Sequence, residues 1–202
     1  MARQIYFVCL YCTLSLFAGP AVAAQDSFAA VVQAMDRLAA KLDRNEASAR
    51  LSKKFHPFIV SQESAESLLN SVRYGKAIAL TNPASGTVER IAPQTKPMSL
   101  ANAYVALSLA KLDLAQYGVS QPTPAQLKWA LNGGKFSQAH LSGEREIRLK
   151  GVLKLRAQGR SWDAIAKLIG VQADVARYDM LAANFVLKKP VATHSYAAIK
   201  AF

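Results

Sequence analysis

Cysteine is nearly missing from this chain of 202 residues, and its only two examples, Cys9 and Cys12, both lie close to the N-terminus. Acidic groups are also sparse. There are 13 Asp and Glu against 25 Lys and Arg, for a formal charge of +12. Charged residues make up 19% and apolar ones 51%, which excludes a disordered polyampholyte and, with no series of long apolar runs, a multi-span membrane protein. Histidine occurs at His56, His140 and His194 only, and none of these has the i,i+4 spacing of a helical zinc site. A Gly-x-Ser-x-Gly elbow and a phosphate-cradling glycine loop are both absent. Glu63 and Glu66 stand three apart on one expected helix, yet acidic groups in a first turn are explained by the helix dipole alone. No catalytic residue, metal ligand or cofactor follows from these patterns.

What is present begins with a leader. Arg3 supplies a basic start, Ile5 to Ala18 an apolar run, Gly19-Pro20 a break, and Ala21-Val-Ala23 the small residues that signal peptidase requires. A membrane anchor is the competing reading, but the uninterrupted run is shorter than the ~20 residues that span a bilayer. Residues 1–23 are therefore expected to be a cleaved signal peptide, and the chain to be periplasmic or secreted. Cleavage removes both cysteines, so the mature chain offers no thiol nucleophile, thiolate metal site or disulfide. It also leaves about 179 residues, the size of one domain, with a charge of +11.

Helical periodicity then dominates. Phe28, Val31, Val32, Met35, Leu38 and Leu42 share one face behind a cap at Asp26 or Ser27, and Ala65, Leu68, Leu69 and Val72 share another in a helix from Ser61 to Tyr74 that Gly75 stops. Between them, Glu46 to Phe55 has only Leu51 and Phe55 as large apolar residues and is expected on the surface. Lys76–Thr81 and Thr87–Ala92 flank a turn-rich link and predict a hairpin. From Met98 to Tyr117 the chain is apolar all round, the pattern of a helix at the centre of a bundle. Thr123-Pro-Ala-Gln126 is a capping box with proline at N1, so a helix starts there and stops at Gly133-Gly134. Residues 135–140 and 144–150 predict a second hairpin. Helices follow at 152–158, from the cap Ser161 to Gly170 with Trp162, Ile165, Ala166 and Ile169 inward, and from Ala173 to about Phe185, carrying Val175, Leu181 and Phe185. The expected architecture is a mainly α-helical α+β fold, a bundle-like single domain over residues 24–187 with two short hairpins, followed by a mobile tail over 188–202.

Charge is concentrated late. Residues 24–127 hold 11 basic and 8 acidic groups, residues 128–202 hold 13 and 5. That asymmetry favours anionic partners such as lipopolysaccharide, wall polymers or nucleic acid. Within it, Arg145, Arg148, Lys150, Lys154, Arg156 and Arg160 form a candidate anion-binding set. Lys154 and Arg156 point to nearly opposite sides of any helix and Arg145 and Arg148 to opposite faces of a strand, so a solvated surface is the alternative.

Leu155 to Val171 resembles the first half of a bacterial helix-turn-helix, with Ala166 and Gly170 offset for tight packing across a turn. Arg160, Lys167 and Arg177 would then face nucleic acid, but Asp174 and Asp179 would bring two carboxylates to the phosphates, and the export signal also speaks against DNA. A helical hairpin used for packing, with Trp129 and Trp162 as core anchors, is the competing reading.

The helix carrying Tyr104-Val-Ala-Leu-Ser-Leu-Ala110, the segment Pro122 to Gly134, and Leu149 through Val171 together resemble a group of signal-peptide-bearing proteobacterial proteins of unknown function. The resemblance covers a little over a third of the chain and implies an exported bacterial protein without implying an activity. The expected role is a non-enzymatic envelope or secreted binding protein whose partner is an anionic polymer or another protein. Nucleic-acid binding through residues 151–185 stands second, and a hydrolase built on Glu63, Glu66 and His56 third.

Overall fold

A computed structural model describes residues 27–59, 61–140 and 143–188. Residues 1–26, with the expected leader, both cysteines and the alternative cap Asp26, lie outside the described residues, as do His194 and the rest of the expected tail after Lys188.

Helix α4 (Leu100–Ala115) is the axis of the molecule, and α1 (Phe28–Ala39), α3 (Gln62–Tyr74), α5 (Pro124–Asn132), α6 (Val152–Ala157), α7 (Trp162–Ile169) and α8 (Ala173–Lys188) all pack on it. Leu100, Ala101 and Ala103 through Ala110 are buried without interruption, as the all-round apolar pattern requires. Its N-terminus is held twice: Ser99 accepts from the Asn102 amide at 3.2 Å, and Asp36 of α1 accepts from the Ala101 amide at 3.1 Å. A carboxylate and a hydroxyl thus satisfy two donors that the helix itself cannot. Among the described residues no helix is long and apolar enough to cross a membrane.

Two antiparallel hairpins stand on this bundle, so the molecule is a mainly helical α+β single domain. In the first, β1 (Ile78–Thr81) pairs with β2 (Val88–Ile91), with Ile78 opposite Ile91. In the second, β3 (Gly134–His140) pairs with β4 (Gly143–Leu149), and Phe136 opposite Ile147 closes the core on that side.

The capping box before α5 is complete. The Thr123 amide donates to Gln126 Oε1 at 2.8 Å, and the Gln126 amide to Thr123 Oγ1 at 3.3 Å. Leu127, Ala130 and Leu131 below it are buried. Thr123→Ala should therefore lower the unfolding free energy by about 1 kcal/mol, measured by urea denaturation; an unchanged midpoint would mean that the cap does not hold α5 in place.

One expectation about burial is corrected. The segment from Glu46 is not a surface element: α2 (Arg44–Ser52) buries Ala47, Ser48, Leu51 and Ser52, and Phe55 just beyond is fully buried. Small side chains let α2 approach α3 closely, and their hydroxyls are satisfied there, Ser48 by Asn70 Oδ1 at 3.0 Å and Ser52 by Gln62 Nε2 at 2.6 Å. Large-residue periodicity overlooks a face made of alanine and serine.

In α8 the inward face is likewise small. Ala176, Met180, Ala183, Asn184 and Leu187 are buried, while Val175, Leu181 and Phe185, the large apolar residues that stand out in the sequence, are exposed. The helix also runs three residues further, so that Lys188, expected to begin the tail, is its last residue.

Candidate functional site

The basic run does not stay together. Three of its members, Arg148, Lys150 and Lys154, line one cleft of about 460 Å³, where Lys135 joins them. The other three are dispersed. Arg145 lies beside Tyr117 and Gln138. Arg156 stacks over the Trp162 indole at 4.7 Å and donates to the Arg160 carbonyl at 2.8 Å. Arg160 itself is exposed at the turn into α7.

Strand register explains the cleft. Because Gly134 pairs with Leu149, Lys135 falls directly opposite Arg148. Lys150 and Lys154 then follow at the end of β4 and on α6. Lys135 escaped the sequence reading because it lies outside the contiguous run, although the expected hairpin already contained the signal that would have found it.

Close backbone crossing holds the floor together. Gly151 has φ +83°, and a Cβ there would come within 2.2 Å of the Gly133 nitrogen. At Gly134 a Cβ would come within 2.1 Å of Trp129 Cδ1. Only glycine lets the end of α5 and the β4–α6 link cross beneath the four cations. The Trp129 ring lies nearly parallel to Phe136, 4° between planes and 6.0 Å between centroids, and walls the neighbouring surface.

Cations directly opposite on paired strands repel. Here one carboxylate relieves them: Glu146 lies 2.8 Å from Lys135 and 3.8 Å from Arg148. The Lys135 hydrogen bond and charge, helped by Arg148, hold the Glu146 carboxyl below its ordinary range. One acid among four bases leaves a net positive cleft. Lys150 is engaged as well, its ammonium donating to the Leu168 carbonyl.

Behind Lys150 lies Asp113 of α4, only 2% exposed, with one carboxylate oxygen lacking a hydrogen-bond partner. Burial pushes its pKa up to about 7, and the Lys150 charge opposes that rise.

The nucleic-acid set divides in the same way. Arg177 lies 3.2 Å from Asp163 and also pairs with Asp174, so its guanidinium is held at the α7–α8 junction. Asp179 faces inward rather than towards phosphates, accepting from the Tyr104 hydroxyl at 2.9 Å and the Ser108 hydroxyl at 2.8 Å. Burial, with the Asp179 charge, pushes the Tyr104 phenol well above its usual range. Arg160 and Lys167 remain exposed. Trp162 is a buried anchor, its indole N–H donating to Asn102 Oδ1 at 2.7 Å.

Carboxylate chemistry finds little support. His56 and Glu63 are exposed and Glu66 is half-buried. Among the described residues no group of three His, Cys, Asp or Glu is placed to hold a metal ion. A wider groove of about 830 Å³ between α1 and α7 is lined by Phe28, Asp36, Arg37, Arg156, Trp162 and Asp163, and both of its carboxylates are engaged, Asp36 with the Ala101 amide of α4 and Asp163 with Arg177. Comparison with models of known protein families, with curated proteins and with solved structures finds no match to this chain.

Proposed function

We propose that this is an exported, non-enzymatic binding protein that holds an anionic polymer of the bacterial envelope in the cleft between the second hairpin and α6. The observation that carries the reading is the convergence of Lys135, Arg148, Lys150 and Lys154 on one concave surface with Glu146 as the carboxylate between them. Opposed cations cost stability on a strand pair, and an anionic ligand relieves that repulsion. A polymer fits better than a single small anion, because the cations belong to three elements and are spread along the cleft. The leader at residues 1–23 supports an encounter in the envelope or outside the cell.

The test uses lipopolysaccharide micelles and inorganic polyphosphate as probes, titrated at low and at physiological salt. Arg148→Gln with Lys154→Gln should weaken binding by about tenfold or more. Lys41→Gln with Lys53→Gln, which removes the same charge outside the cleft, should change it little. Equal losses from the two pairs would reduce the interaction to net charge and overturn the site. Protein recovered from cells should begin at Ala24 or Gln25, and a cytosolic species retaining Met1 would overturn export.

A further inference from the structure

Helix α8 is apolar on two opposite sides. One side, Ala176, Met180, Ala183 and Leu187, is buried against α1, α2 and α4. The other carries Val175 at 44% exposure, Tyr178 at 72%, Leu181 at 44% and Phe185 at 66%, with Ala182 between them. At 100° per residue these five occupy an arc of about 120° opposite the buried side. Scattered exposed apolar residues need no explanation, but four large ones on one face of one helix do.

We infer that this stripe is a dimer interface on which α8 of a second copy of the chain packs antiparallel. The argument is self-complementarity about a two-fold axis. Asp174, Leu181 and Lys188 are spaced by seven residues and so lie along one edge of the stripe. A two-fold axis perpendicular to the helix brings that edge against the same edge of the second copy, in reverse order. Centred near Leu181, it sets Leu181 against its own counterpart and Asp174 against Lys188 of the other copy, twice. The same centring brings Tyr178 beside Phe185 of the second copy, also twice. The two charges stand about 21 Å apart along their own helix, so they cannot meet within one chain. Antiparallel packing also sets each helix dipole against its opposite.

Size sets the strength. One pair of four-turn helices buries less than the ~1,200 Å² of a standard interface, so the dimer is weak, with a Kd in the micromolar range. Asp174 already pairs with Arg177 and Lys188 lies 5.5 Å over its own Phe185 ring; both contacts persist at the rim of the paired helices.

Sedimentation equilibrium of the full chain, from about 1 µM to about 1 mM, should show a monomer–dimer equilibrium. Leu181→Asp removes the central apolar contact and adds two facing carboxylates, which should raise Kd by more than about a hundredfold and leave a monomer over most of that range. Asp174→Lys alone, or Lys188→Asp alone, should weaken the dimer by about tenfold, and the two together should restore it. That rescue is the decisive reading, because a structural role for either charge inside one chain would make the double variant the worst. A wild-type chain that remains monomeric throughout would overturn the inference, as would a dimer that Leu181→Asp leaves intact or single losses that do not recover on reversal. A monomer whose stripe becomes accessible to hydrogen exchange only when residues 189–202 are removed would overturn it too, assigning the stripe to the chain's own C-terminus.

Discussion

Replacing Trp162 with alanine should lower the unfolding free energy by about 3–5 kcal/mol, the range for removing a large buried aromatic. Three effects combine. The indole is 5% exposed, so its removal leaves a cavity between α4 and α7 unless neighbours collapse into it. Its N–H is the donor to Asn102 Oδ1 at 2.7 Å, and the same Asn102 side chain donates to the α4 cap Ser99 at 2.7 Å. Losing the indole therefore disturbs the start of the central helix as well as the core. Arg156, 4.7 Å over the ring, loses a cation–π contact of about 0.5–2 kcal/mol. Trp162→Phe keeps most of the volume but not the donor and should fall between, at about 0.5–1.5 kcal/mol, the net worth of one hydrogen bond, because Asn102 is only half-buried at the edge of the groove. Urea denaturation of the three proteins gives the order. Were both variants as stable as the wild type, Trp162 would not be an anchor, and the helix-turn-helix reading of 152–185 would gain. Arg177→Ala supplies the contrast, since its ion pairs with Asp163 and Asp174 reach solvent and contribute at most about 1 kcal/mol.

The second large effect is a dependence on pH carried by Asp113. In the unfolded chain this carboxyl ionises near 3.8, and in the fold near 7, because burial disfavours the charged form. Between those values the native state holds a proton that the unfolded state releases, so stability falls as pH rises through this window and levels off above 7. Three pKa units amount to about 4 kcal/mol. Asp113→Asn keeps the shape without the charge and should be the more stable protein at pH 8, with the difference vanishing near pH 4. Removing the opposing cation with Lys150→Met should raise the Asp113 pKa further and extend the fall to higher pH. Denaturation midpoints of wild type and Asp113→Asn across pH 4–8 test this, and parallel profiles would mean that Asp113 is hydrated or paired in the folded protein.

Much of this molecule is legible without coordinates. Ser27, expected as a cap of α1, makes no side-chain bond there, but Thr123 and Ser161 each accept from the backbone at the start of the helix they were expected to cap, and Gly75 and Gly170 each end one in the left-handed conformation. These are local decisions, made by groups within a few residues of one another. Burial of α2 and the orientation of α8 were not legible, since alanine and serine score as weakly hydrophobic although they permit the closest helix contacts. The candidate site was legible in part. Arg148, Lys150 and Lys154 come from the basic run, whereas Lys135 enters from fifteen residues before Lys150 and only through cross-strand pairing.

The sequence alone determined the order of most helices and of both hairpins, which helix lies at the centre, and that positive charge gathers in the C-terminal part. Each of these depends on short-range hydrogen bonding or on the sum of charges, and neither needs to know which elements are neighbours. Tertiary structure alone decided which cations share a surface, that Asp113 is enclosed without a partner for one of its oxygens, that Asp179 serves Tyr104 rather than solvent, and that one apolar side of α8 is left uncovered. Those outcomes depend on contacts between residues tens of positions apart. Packing selects them by total buried surface and satisfied polar groups, and that sum is not written in any single segment.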